Sequence, residues 1–253
     1  MKMRTFLLIG LAVTLTRCNP EQVADPQVYF EDFNQGNGGW YADRHYALPV
    51  WDGVAYCHGP WFLDSNHAPP GAGYLHLVMW LYTDGRWYQH PTAATRLPYT
   101  NNSFVEQGYS TRLANARMTV RLRGELQARG AELLLLAQSE TDKTTANMVL
   151  TGQPFRVTRE WTEQTVTLAP DPGQWTCLGS RHDRTGLYGC DDIGKVLEDV
   201  NIDLIFVLFP LEIVPLSDEV TDLHATRAGM DYPVDQDRLP KGLIMFDWVK
   251  IEY

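Results

Sequence analysis

The chain has 253 residues, 44% hydrophobic and 11% aromatic, enough apolar mass for a continuous core and far from the composition of a disordered chain. Its 31 acidic residues outnumber 21 basic ones, giving a formal net charge of −10 at pH 7. Such a surface repels phosphate backbones and anionic lipid, whose capture depends on Lys and Arg, which excludes nucleic acid and plain membrane adsorption as partners.

In chain order, Lys2 and Arg4 precede an uncharged, almost wholly apolar stretch, Phe6 to Leu15, followed by Thr16-Arg17-Cys18. Residues 1–18 have the form of a secretory signal, too short to span a bilayer comfortably. Loss of residues 1–17 removes three of the 21 basic residues and none of the 31 acidic ones, taking the net charge from −10 to −13. Leu15-Thr16-Arg17-Cys18 resembles a bacterial lipobox, with Arg17 where a small residue is usual. Two readings stand: lipidation of Cys18, giving a periplasmic or cell-surface lipoprotein held to the membrane only through its lipid, or an ordinary cut nearby, giving a secreted chain. A polar tether over 19–27 then leads into a domain over 28–253.

Strand signals dominate that domain. Ala116, Met118, Val120 and Leu122 alternate with Arg117, Thr119, Arg121 and Arg123, the period of a strand with one face in a core. Ala131 to Ala137 is nearly all Leu, which fits a short strand covered on both faces. Met148–Thr151, Trp161–Leu168, Ile202–Phe209 and Leu243–Ile251 continue the series. One short helix is expected over 192–200, where Ile193, Val196, Leu197 and Val200 fall at helical spacing behind a capping Asp191 or Asp192. Cys177 and Cys190, close in sequence around a Gly-containing loop, suit a disulfide in an oxidising compartment, the alternative being two buried thiols. Cys57 is left unpaired if Cys18 carries lipid. The expectation is an all-β sandwich of two antiparallel sheets, with first and last strands close together and long loops over 34–70, 83–108, 171–190 and 211–240.

Phe30-Glu31-Asp32-Phe33 followed by Gly39-Trp40, the middle run Trp161 to Leu168, and the closing Phe246-Asp247-Trp248-Val249-Lys250-Ile251 resemble carbohydrate-binding modules with the galactose-binding-like jelly-roll fold. The resemblance implies a jelly-roll β-sandwich, a polysaccharide or oligosaccharide ligand and a structural calcium ion joining the first and last strands. Its ligands would be Asp247 with Glu31 or Asp32, only one of which can point to a given side of a strand. Solvated carboxylates at a sandwich edge are the alternative.

The densest chemistry runs from Trp51 to His76. Trp51, His58, Trp61, Asp64, Asn66 and His67 combine aromatic faces, which stack on the C–H faces of sugars, with groups that bond hydroxyls, and Pro69-Pro70-Gly71 stiffens the exit. Trp87 could join them from the next loop, and Arg112 would matter for a sugar carrying carboxylate or sulfate. Three other readings apply to the same residues. The Trp side chains could plug one end of the sandwich, or His58, His67 and Asp64 could hold a transition metal. Alternatively, a polysaccharide lyase or glycoside hydrolase could use His67, Tyr74, Asn66 and Arg112, or Asp64 with a second carboxylate.

Overall fold

The structure is a computed structural model that describes residues 28–42, 48–64, 74–88, 102–180, 185–212, 214–221, 226, 230–232 and 237–253. The first strands in chain order are β1 (Val28–Glu31), β2 (Trp40–Tyr41), β3 (Val50–Trp51), β4 (Val54–His58) and β5 (Phe62–Asp64). They are followed by β6 (Tyr74–Tyr82), β7 (Arg117–Gln127), β8 (Glu132–Glu140), β9 (Thr145–Val149) and β10 (Thr162–Thr167). The last four are β11 (Thr176–Cys177), β12 (Tyr188–Gly189), β13 (Asp203–Leu211) and β14 (Lys241–Glu252).

Sheet A has the order β10-β7-β14-β4-β3, with β1 also pairing β14. Sheet B has the order β11-β9-β8-β13-β6-β2, with β5 also on β6 and β12 on β9. All these pairs are antiparallel except the two-residue β12–β9 contact. The first and last strands pair directly, from Val28 opposite Glu252 to Glu31 opposite Val249.

Alternation along each strand builds the core between the sheets. Met118, Val120 and Leu122 of β7 meet Leu133 and Leu135 of β8 and Leu204, Phe206 and Leu208 of β13 in one buried cluster. Phe206 of sheet B packs on Phe246 of sheet A, ring centroids 4.9 Å apart. The leucine run of β8 does not alternate with polar residues because its other face is also buried, Leu134 and Leu136 joining Trp80, Ile205 and Val207 in a second cluster. At Asp247 the register of β14 against β7 shifts between Phe246 and Trp248, a bulge that takes two successive residues out of the core-facing alternation. Trp248 then packs against the exposed Phe30 on the outer face, centroids 5.8 Å apart.

Among the described residues the α-helices are few and short: α1 (Gly85–Tyr88), α2 (Ser103–Glu106) and α3 (Ile193–Glu198). The longest described, α3, lies where its spacing and cap place it, with the Asp192 carboxylate accepting from the backbone N–H groups of Gly194 and Lys195. Among the described residues no helix is long and apolar enough to cross a membrane. Cys177 and Cys190 form a disulfide, and a loop of that length contributes about 3 kcal/mol by restricting the unfolded chain. Cys57 is a buried free thiol, its pKa raised by burial. The signal segment and Cys18 lie outside the described residues.

Candidate functional site on the outer face of sheet A

Asp52 and Gly53, with φ of 52° and 69°, form a two-residue hairpin between β3 and β4. Positive φ at both positions is what a turn matched to strand twist requires, and Asp-Gly supplies it at low cost. The hairpin sets Trp51 opposite Val54. Along β4, Ala55 and Cys57 enter the core while Val54, Tyr56 and His58 take the outer face. Trp51, 74% exposed, lies 6.4 Å from Tyr56 by ring centroid, and Tyr56 lies 6.4 Å from His58 with the two rings tilted by only 12°. Three rings thus share one edge of the sheet.

Cross-strand register extends this surface. Tyr56 faces Met245 of β14, which faces Arg123 of β7, and one row along, His58 faces Leu243, which faces Glu125. The guanidinium of Arg123 sits 4.7 Å from the centroid of Trp161 and that of Arg121 sits 5.4 Å from it, while Arg121 is ion-paired to Asp247. With strands about 4.8 Å apart, the row from Tyr56 to Arg123 covers roughly 10 Å.

Below His58 the face runs into a cleft of about 770 Å³ lined by His58, Gly59, Gly124, Glu125, Arg159 and Lys241, among others. Glycines shape it. A Cβ on Gly242 would stand 2.0 Å from the carbonyl oxygen of Glu125, and one on Gly124 would stand 2.2 Å from that of Leu243. At the rim, Arg159 Nε is 3.5 Å from Glu125 Oε1 and Lys241 Nζ is 3.1 Å from Asp237 Oδ1.

Of the residues singled out in the sequence, Trp51 and His58 come together here. Trp61 is buried in the core against His76, centroids 6.0 Å apart, and Asp64 is buried on β5. Asn66, His67 and the side chain of Trp87 lie outside what the structure describes. Arg112 is exposed beside the segment 197–200, at the Tyr82 end of β6, whereas Tyr74 stands at the opposite end of that strand, about 25 Å away at the usual strand rise. The Tyr74 hydroxyl is engaged by Thr226. Tyr74 and Arg112 therefore do not converge as a lyase pair.

The three carboxylates considered for calcium occupy separate settings. Glu31 is buried, Oε1 accepting from Phe33 N–H at 2.9 Å and Oε2 from the Ser103 hydroxyl at 3.1 Å, and burial raises its pKa. Asp32 accepts from the backbone and side chain of Asn34, and Asp247 pairs with Arg121 on the outer face. Among the described residues no group of three or more His, Cys, Asp or Glu side chains gathers as a metal site. Burial also perturbs two groups away from this face: it lowers His76 to about 4 and raises Asp203 well above the usual carboxylate range, with Asp64 adding to the rise.

Tyr56, Arg123 and Trp161 were not singled out as site residues. The Asp52-Gly53 dipeptide between Val50-Trp51 and Val54-Ala55-Tyr56 was the available signal, since a hairpin there aligns Trp51 with Tyr56. Arg123 carried no local signal beyond alternation.

The sequence matches no family model and no curated protein. Three solved structures superpose loosely. One comes from work on endo-acting O-glycanases of the human gut microbiota, with 10% identity, a TM-score of 0.36, and coverage of 88% of this chain and 98% of that one. The CBM2 module of the evolved Dit of Lactobacillus casei BL23 phage J-1 gives 12% identity, a TM-score of 0.30 and coverage of 90% and 97%. The L4b domain of human laminin alpha-2 gives 7%, 0.27, and 56% and 61%.

Proposed function

We propose that the chain is a carbohydrate-binding protein whose ligand lies across the outer face of sheet A. The observation that carries this reading is Trp51: a large aromatic ring, 74% exposed, held beside Tyr56 on a two-residue hairpin of a rigid sheet. Scattered exposed apolar side chains are ordinary, but adjoining rings fixed on a scaffold beside a polar cleft have the make-up of a ligand surface. Sugar C–H faces stack on such rings, while His58, Glu125 and Lys241 at the cleft can bond hydroxyls. The resemblance of the end strands to carbohydrate-binding modules agrees with this chemistry.

Trp51→Ala is expected to weaken binding by about tenfold, or 1.4 kcal/mol, to any polysaccharide that the parent retains in affinity electrophoresis or calorimetry. The melting temperature should hold, because an exposed ring contributes little to the core. Undiminished affinity would move the ligand off this face. Release of reducing or unsaturated ends in the same mixtures would instead assign the chain to glycan cleavage.

Calcium, expected from the resemblance at Asp247 with Glu31 or Asp32, is proposed as a stabilising ion bound on the Glu31 side of that set. Its support is the buried carboxylate of Glu31, which a hard cation would favour in its charged form. A ligand that binds only the folded state raises its melting temperature by mass action, so chelator should lower the melting temperature and added Ca²⁺ restore it. A melt indifferent to chelator would leave Glu31 as an internal hydrogen-bond acceptor alone.

A further inference from the structure

Among the described residues Arg123 is a charge on this face that no carboxylate neutralises and that is also partly buried. Its neighbour two residues back on the same face, Arg121, is neutralised by Asp247. Among the described residues Glu125 of β7 is paired with Arg159, and Glu163 stands opposite Arg121 rather than Arg123. Arg123 makes no ion pair among the described residues, and its buried Nε has no hydrogen-bond partner. The guanidinium carbon lies 4.7 Å from the Trp161 ring centroid, and the cross-strand neighbour Met245 adds apolar surface on the other side, between Arg123 and Tyr56.

The excess of 31 acidic over 21 basic residues repels a polyanion at long range, so an anionic group would be held only at a locally built site such as this one. A buried donor left unpaired costs free energy, and a positive charge flanked by apolar groups attracts an anion more strongly than one in open water. The planar fork of Arg matches carboxylate and sulfate in bidentate fashion. We infer that the glycan bound on this face carries a carboxylate or sulfate, received by Arg123 against Trp161 while the neutral part of the chain crosses Met245 toward Tyr56 and Trp51. This rests on the carbohydrate-binding reading and narrows it to acidic glycans.

The test uses polysaccharide pairs that differ in charge on a shared backbone: polygalacturonate against its methyl-esterified form for carboxylate, and dextran sulfate against dextran for sulfate. These are set within a wider panel of acidic and neutral polysaccharides. Parent protein should prefer charged members by about tenfold at low salt, with the gap narrowing as NaCl screens the contact. Arg123→Gln should abolish that preference, while Arg123→Lys should retain part of it. Trp51→Ala should weaken charged and neutral members alike. Thermal melts accompany each variant, and Arg123→Lys carries the test if Arg123→Gln does not fold. Equal binding of charged and neutral partners, or a preference that survives Arg123→Gln, overturns the inference and leaves carbohydrate binding standing. No binding anywhere on the panel overturns the carbohydrate reading itself. The pair that responds, uronate or sulfate, identifies the anion.

Discussion

Gly242→Ala is expected to destabilise the fold by about 3 kcal/mol, a drop of roughly 10 °C in melting temperature, and to weaken glycan binding with it. Two independent costs meet at this position. Its φ of +136° lies in a region that side-chain-bearing residues rarely adopt, and an added Cβ would sit 2.0 Å from the backbone oxygen of Glu125. That oxygen cannot retreat freely, because Lys241, Gly242 and Leu243 pair in register with Gln127, Leu126 and Glu125 at the end of the longest ladder in sheet A. The carbonyl of Gly242 also accepts from Gly59 N–H at 2.9 Å, tying the end of β4 to the cleft. Strain here should therefore displace His58. The measurement is paired: Gly242→Ala loses stability and affinity together, whereas Trp51→Ala loses affinity alone. An unchanged melting temperature in Gly242→Ala would show that the β7–β14 edge yields and that the close approach is not structural.

The contrast between these two positions also shows what the amino-acid pattern discloses. Strands whose side chains alternate between core and solvent, such as Arg117 to Arg123, carry their orientation in the sequence, since a one-residue slip would bury arginines. The leucine run of β8 was legible as a strand covered on both faces because it is apolar throughout and short. The Cys177–Cys190 bridge and the Asp192 cap were legible because each depends on residues near one another in the chain.

Asp247 interrupts an otherwise apolar closing strand, where the resemblance implies a calcium ligand. The bulge at Phe246/Trp248 instead accompanies a half-buried Asp247 on the outer side, beside Arg121, a residue 126 positions away. No local pattern encodes that pairing. The same holds for the site: Trp51 and His58 lie on one hairpin and were visible, but Arg123 and Trp161 reach the face only through pairing of β4 with β14, β14 with β7 and β7 with β10. Trp61, close to Trp51 in sequence, is on the opposite side of the chain's path and fills the interior. Density of aromatic residues along a segment does not separate exposed rings from buried ones; Trp51 is set outward by its hairpin register, whereas Trp61 precedes β5 and no strand parity marks it.

Acidification should expose a second large effect through His76, which is 1% exposed and packed against Trp61, where burial outweighs the neighbouring backbone groups of Phe62 and Trp61. Burial disfavours the imidazolium and lowers the pKa from 6.5 to about 4. Between those values the unfolded chain binds a proton that the folded chain refuses. The contribution of neutral His76 is thus complete above pH 6.5 and drains away as pH falls toward 4, amounting to about 3 kcal/mol across that window. Glu31 and Asp203 act with the opposite sign, because burial raises their pKa values and their uncharged folded forms are favoured at lower pH. The parent profile alone therefore mixes gains and losses, and the decisive quantity is the difference between parent and His76→Leu. Denaturant titrations at pH 7 and pH 4 should show that difference shifting by about 3 kcal/mol in favour of the variant at pH 4. Parallel pH profiles for the two proteins would mean that the imidazole is solvated in the folded state. Because Trp61 lies directly beneath Gly59, where an added Cβ would be 3.2 Å from its ring, protonation of His76 strains the support of the cleft. Glycan affinity of the parent should accordingly fall over the same pH range, while His76→Leu should lose less.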